Sequence, residues 1–247
     1  MANPTTNQRG TKAERKEQAR RERVELQRKM ARGRRNRRIG IALVAVVVVA
    51  ATVIYLTRPQ PVEVAPGALL AAAADARQQA GCGQVEVVGP YHPKGRDRAH
   101  VDSPLTPLAS YPSVPPTSGP HYPIPLGAGV YDSPPPIDRV IHSLEHGAAV
   151  VWYSPNTSGS ELARLKEFYG RDGVGSRVIV APYDYPDEGA AGSLPSGAQM
   201  SLVAWHHLET CARVNLPAAF DFTSQYAAPP FGQRPYKGDA PEPGGTL

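Results

Sequence analysis

The chain has 247 residues, 41% apolar and 20% charged, with two cysteines. Those figures exclude a wholly disordered polymer, a multi-spanning membrane protein, a disulfide-dense scaffold and a cysteine-only zinc site. The formal charge of +5 joins unlike parts: residues 1–40 carry 14 of 27 Lys/Arg against 4 of 22 Asp/Glu, a net of +10, and residues 41–247 carry a net of −5. An acidic body argues against nucleic acid as a ligand of the outer domain.

The first element is a basic tail, residues 1–38. KAERKEQARRERVELQRKM (12–30) has no apolar stripe, so it reads as a solvated helix or a disordered arm. Its Glu17→Arg21 and Glu25→Lys29 pairs have helical i,i+4 spacing in the favourable order. Residues 39–57 follow as 19 residues without a charge. As a helix they would reach roughly 28 Å, close to the hydrocarbon thickness of a bilayer. Tyr55 lies near one end, and Arg32, Arg34, Arg35, Arg37 and Arg38 abut the other. The 38-residue approach is too long for a cleaved leader, so the stretch reads as a signal anchor. The positive flank keeps the N-terminus cytoplasmic. The expected location is the cell membrane, single-pass, with lipid contacted through residues 39–57 and the rest facing outward.

Residues 58–81 read as a stalk, extended over 59–66, with an alanine-rich helix over 67–81 ending at Gly81 or Gly83. The compact domain is expected over 82–228. QVEVV (84–88) reads as a strand. Between Pro93 and Pro136 there are 12 prolines in 44 residues, which excludes regular helix and a central strand. The interleaved His100, Tyr111, His121, Tyr122 and Tyr131 make it an ordered wrap rather than a linker. AAVVWY (148–153) and RVIVAP (177–182) read as strands, and so does MSLVAWH (200–206). A helix follows Ser158 at capping-box spacing to Glu161, with Leu162, Leu165 and Phe168 or Tyr169 inward and Gly170 at its end. Asn215 caps a last helix through about Tyr226. Residues 229–247 form a Pro/Gly-rich tail. The fold class is α+β, a small mixed or antiparallel sheet with two or three helices. Cys82 and Cys211, on the oxidising side of a membrane, are expected to bond.

All seven histidines lie between residues 92 and 207. His142 and His146 are four apart, with Glu145 beside the second. On a helical turn both rings project from one face, within reach of a single metal ion, whereas on a strand they would stand roughly 13 Å apart. His142-Ser-Leu-Glu145-His146 also fits the inverted zinc-protease pattern, in which the glutamate is the general base. Its context is poor, with prolines before it and a strand at once after. His121 sits in a stiff proline loop. Ser118 and Ser143 lack the strand–turn–helix elbow of a nucleophile. Nothing at ligand spacing supports His92, His206 or His207.

PPTSGPH (115–121), GVYD (129–132), HSLEHG (142–147), VVWY (150–153), AW (204–205) and Pro241-Glu242, following an apolar anchor, resemble the bacterial domain of unknown function 3105 family. That resemblance implies a membrane-anchored, outward-facing protein and brings no activity. It groups His121, His142, Glu145 and His146 into one constellation. The family pattern has Gly after AW, where this chain has His206.

The resulting expectation is a copper or zinc ion held by His121, His142 and His146, with His100 or Glu145 as the fourth ligand. Met200, were it to join them, would favour Cu(I). Two other readings stand beside it: a metal-dependent hydrolase with Glu145 as general base, and a non-catalytic envelope interaction module in which the histidines merely fasten the proline loop.

Overall fold

The structure is a computed structural model that describes residues 12–57, 65–93, 95–102, 106–157, 159–231 and 234–247. It divides into two units, Met1–Glu63 and Val64–Leu247. The first contains helix α1, Lys12–Thr57, in which basic tail and apolar stretch form one continuous helix. The Glu17–Arg21 pair closes at 3.0 Å on its surface. Among the described residues no helix is long and apolar enough to cross a membrane. Of the apolar run, side chains are described for residues 40–52, and Ile41, Leu43, Val44 and Val46 to Val49 are all exposed. The side chains of Tyr55, Arg34, Arg35, Arg37 and Arg38 lie outside the described residues, as do residues 58–64 of the expected stalk and Ser158 of the expected capping box.

In the second unit, α2 (Pro66–Ala80) starts on a proline and ends at Gly81, whose N–H reaches back to the last turn. Leu69, Ala73, Ala76 and Ala80 form its buried stripe. This helix is therefore packed into the domain rather than standing free in a stalk. Six strands follow: β1 (Glu86–Val87), β2 (Gly129–Val130), β3 (Ala149–Tyr153), β4 (Val178–Pro182), β5 (Met200–Ala204) and β6 (His207–Cys211). Helix α3 (Ile137–Glu145) precedes β3, α4 (Ser160–Tyr169) joins β3 to β4, and α5 (Leu216–Tyr226) follows β6. The order across the sheet is β1-β6-β5-β3-β4-β2. The β3/β4 and β4/β2 pairs are parallel and the others antiparallel, so the sheet is mixed.

Both faces of the sheet are covered, which is why the central strands β3, β4 and β5 are buried at every position and apolar at all but Ser201. Val151, Val180, Met200 and Leu202 face one core with Leu69, Leu165, Phe168 and Phe222. Val150, Trp152, Ile179 and Val203 face the other with Val140, Ile141, Leu144 and Tyr111. Each fully buried aliphatic side chain contributes roughly 1.5–3 kcal/mol of hydrophobic stabilisation.

The sequence reading of 200–206 changes, and that of the cysteines is borne out. The strand expected over 200–206 stops at Ala204, and the chain turns through Trp205-His206 into β6. His206 adopts φ +59°, alone among described non-glycine residues in having positive φ. This is the position at which the family resemblance calls for glycine, the residue that enters that region without steric cost. Cys82 and Cys211 are bonded, tying the end of α2 to β6 across 129 residues.

Candidate metal centre

The site is built on the face of α3 and the proline wrap. Three prolines precede α3 and place its start. Its inner face, Val140, Ile141 and Leu144, enters the core. Ser143 donates to the Leu126 carbonyl at 2.7 Å and accepts from the Leu126 N–H at 2.9 Å, fastening the wrap to the helix. That bond, with full burial, gives Ser143 a structural task. The helix ends at Glu145, and the chain turns off it at Gly147, where φ is +84° and a Cβ would lie 2.4 Å from that of Ala228. Only glycine meets both demands. His142 and His146 thus sit one turn apart at the helix end, as the metal hypothesis requires.

The wrap delivers the other two rings. Residues 97–101 run beside 119–121: the His121 N–H bonds the Ala99 carbonyl at 2.9 Å, and the Val101 N–H bonds the His121 carbonyl at 2.8 Å. His100 and His121 are therefore paired side by side. Asp97 holds this ribbon, accepting from Ser118 Oγ at 2.6 Å and lying 2.8 Å from His206 Nε2.

One potential ligand atom from each of His100, His121, His142 and Glu145 lies within 4.8 Å of all the others. These residues could hold a metal ion. His146 is not in that set, although its Nε2 is 3.1 Å from His142 Nε2. Of the expected ligands His121, His142 and His146, the structure puts the third next to the set rather than in it. Both fourth candidates, His100 and Glu145, belong to it. Met200 faces the opposite core with Leu202, so it supplies no soft ligand here. His206 is engaged with Asp97, and His207 contacts the Trp205 carbonyl at 2.8 Å and stacks near Tyr226. Neither joins the set.

The outward nitrogens are already committed. Nδ1 of His121, His142 and His146 lies 2.7 Å from the carbonyls of Gly119, Tyr122 and Thr246, respectively. A carbonyl only accepts, so each Nδ1 carries the hydrogen, and in the neutral ring each Nε2 presents a lone pair. Those Nε2 atoms face other acceptors: His121 faces Glu145 Oε2 at 3.0 Å, and His142 faces His146. Two lone pairs at such distances repel unless a proton or a metal ion lies between them. Burial, reinforced by the neighbouring His121, His146 and His100 rings, lowers the pKa of His142 despite its bond to Tyr122, favouring the neutral ligand form.

Glu145 is buried and ionised. Burial pushes its carboxyl upward, but His121, when its Nε2 carries a proton, and Arg98 together outweigh it and hold the pKa down to about 2. Arg98 Nε takes Oε1 at 2.5 Å, leaving Oε2 to face His121 and His100, the latter at 3.7 Å. Such a carboxylate is a weak base near neutrality, which counts against the general-base role.

Two residues of this network escaped the sequence reading. Arg98 bridges Glu145 and Glu242, reaching Glu242 Oε1 at 2.5 Å. Glu242 Oε2 lies 3.5 Å from His146 Nε2. The C-terminal segment, expected as a surface tail, is bonded along this edge: Glu242 N–H to the Glu145 carbonyl, Gly244 N–H to that of His146. Pro241-Glu242 was a resemblance motif, but only the fold sets it against histidines a hundred residues away.

The geometry defines an α+β domain in which a histidine and carboxylate cluster, fixed from behind by backbone carbonyls, closes one sheet face. A family model described as "Protein of unknown function (DUF3105)" matches residues 106–242, more than half of the chain, and the chain belongs to that family. No curated protein and no solved structure matches it.

Proposed function

We propose that this is a single-pass, outward-facing membrane protein whose domain holds one transition metal ion through His100, His121, His142 and Glu145, with His146 adjoining. The carrying observation is a set of four potential ligand atoms within 4.8 Å of one another, two of them on the rings of His121 and His142, which are anchored through Nδ1–H to carbonyls in the way that orients metal-bound imidazoles. Three imidazoles and a carboxylate suit zinc or copper, and without a sulfur donor the set favours Zn(II) or Cu(II) over Cu(I). The membrane reading draws its support from the 19 uncharged residues 39–57 behind a basic flank and from the Cys82–Cys211 bond, which persists in oxidising compartments.

Elemental analysis of the full chain purified in detergent tests the metal reading. About one ion per chain is expected, lost in H121A and H142A. Metal-free protein with no affinity for added Zn(II) or Cu(II) would end it. Protease digestion of intact cells tests the topology, with the domain accessible from outside.

A further inference from the structure

Resting on that metal reading, we infer that His146 and Glu242 form an outer station through which the ion enters and leaves the four-residue set, three of whose members are buried. Exposure falls along a row of potential ligands: the Glu242 side chain is 51% exposed, that of His146 15%, and His121 is fully buried. Consecutive members are spaced for handover. Glu242 Oε2 to His146 Nε2 is 3.5 Å, and His146 Nε2 to His142 Nε2 is 3.1 Å. With metal–ligand bonds of about 2.0–2.1 Å, an ion can touch two neighbours at these separations. It then passes inward by exchanging one bond at a time, without facing full dehydration at once.

Arg98 sets the row's orientation. It takes Oε1 of both Glu145 and Glu242, so that Oε2 of each points at an imidazole. The station itself is held by the C-terminal segment, through Thr246 O on His146 Nδ1 and the Gly244 N–H on the His146 carbonyl. Glu242 adds a negative charge at the exposed end, which raises the encounter rate of a cation. His146 stands beside the set and outside it, as a relay should. The rival entrance is His100, whose side chain is 51% exposed.

Zn(II) loading and its release to a chelator, followed by stopped flow on the full chain, separate the two routes, with the equilibrium Kd measured by competition. In E242Q and H146A, with H146Q as a second variant should the alanine fail to fold, both rates are expected to fall about tenfold, while Kd shifts by less than about threefold. Unchanged rates would place entry at His100 and overturn the inference. Weakened Kd with faster release would make His146 an ordinary ligand and overturn it too. A wild-type chain that binds no Zn(II) would remove the metal reading along with it.

Discussion

The two faces of the sheet are built by different means. One is covered by α2, α4 and α5, regular helices with apolar stripes, stapled by a disulfide and by Arg77, which reaches Glu209 at 2.6 Å and Asp221 at 3.0 Å. The other is covered by α3, a proline-rich wrap and a C-terminal segment, fastened largely through single side chains such as Ser143, Asp97 and Arg98. Periodic burial stabilises the first face. The second is held by particular hydrogen bonds, and that is what lets it place histidines from remote segments against one another.

Stability and metal affinity should separate between the faces. The largest expected effect is on the second: H142A, which removes a ligand, should weaken Zn(II) or Cu(II) binding by more than about 100-fold in a competition titration, and, by leaving the Tyr122 carbonyl unpaired, should cost the metal-free chain only about 1–3 kcal/mol in urea. On the first face, L202A should cost about 2–5 kcal/mol of unfolding free energy in urea, with Kd unaltered. Breaking the disulfide through C82S and C211S should cost about 2–4 kcal/mol by the same assay, again without touching Kd.

Acid–base behaviour should divide too. Burial, with Asp221 adding to it and Arg77 opposing, raises Glu209 to about 7. Its folded pKa exceeds its unfolded value, so its contribution is complete below about 4.5 and is lost as pH rises through 7, on the order of 3 kcal/mol. Glu145, held to about 2, behaves oppositely: its contribution is present above about 4.5 and disappears as pH falls towards 2. Urea midpoints against pH should therefore decline above pH 5 in the wild type and flatten there in E209Q. The smallest effect belongs to H206G, where relief at φ +59° offsets the lost Asp97 contact. Its unfolding free energy should lie within about 1 kcal/mol of wild type.

The first face was readable because its rules are local. Asn215 does cap α5, accepting from Ala218 N–H, and β3 and β4 lie where β-branched runs placed them. The β5–β6 hairpin was not readable, since its turn uses Trp205-His206 instead of the Asn-Gly or Asp-Gly that announces such turns. On the second face, four-residue spacing pointed to His142 and His146, the stiff proline loop to His121, and the resemblance grouped them with Glu145. Arg98 gave no signal, since an arginine in a loop reads as a solvated charge until the fold sets it beside its partner, and Glu242 stood in the sequence only within the Pro241-Glu242 resemblance motif, with no role attached. His146 shows the limit of spacing, which put it on the right face but not in the four-residue set.

X-ray absorption at the metal edge, on the full chain loaded with Zn(II) or Cu(II), addresses the central claim most directly. The account predicts imidazole nitrogens plus a carboxylate oxygen near 2.0–2.1 Å, with no sulfur near 2.3 Å. A spectrum showing a hydrated ion without imidazole scattering, or one dominated by sulfur, would contradict it.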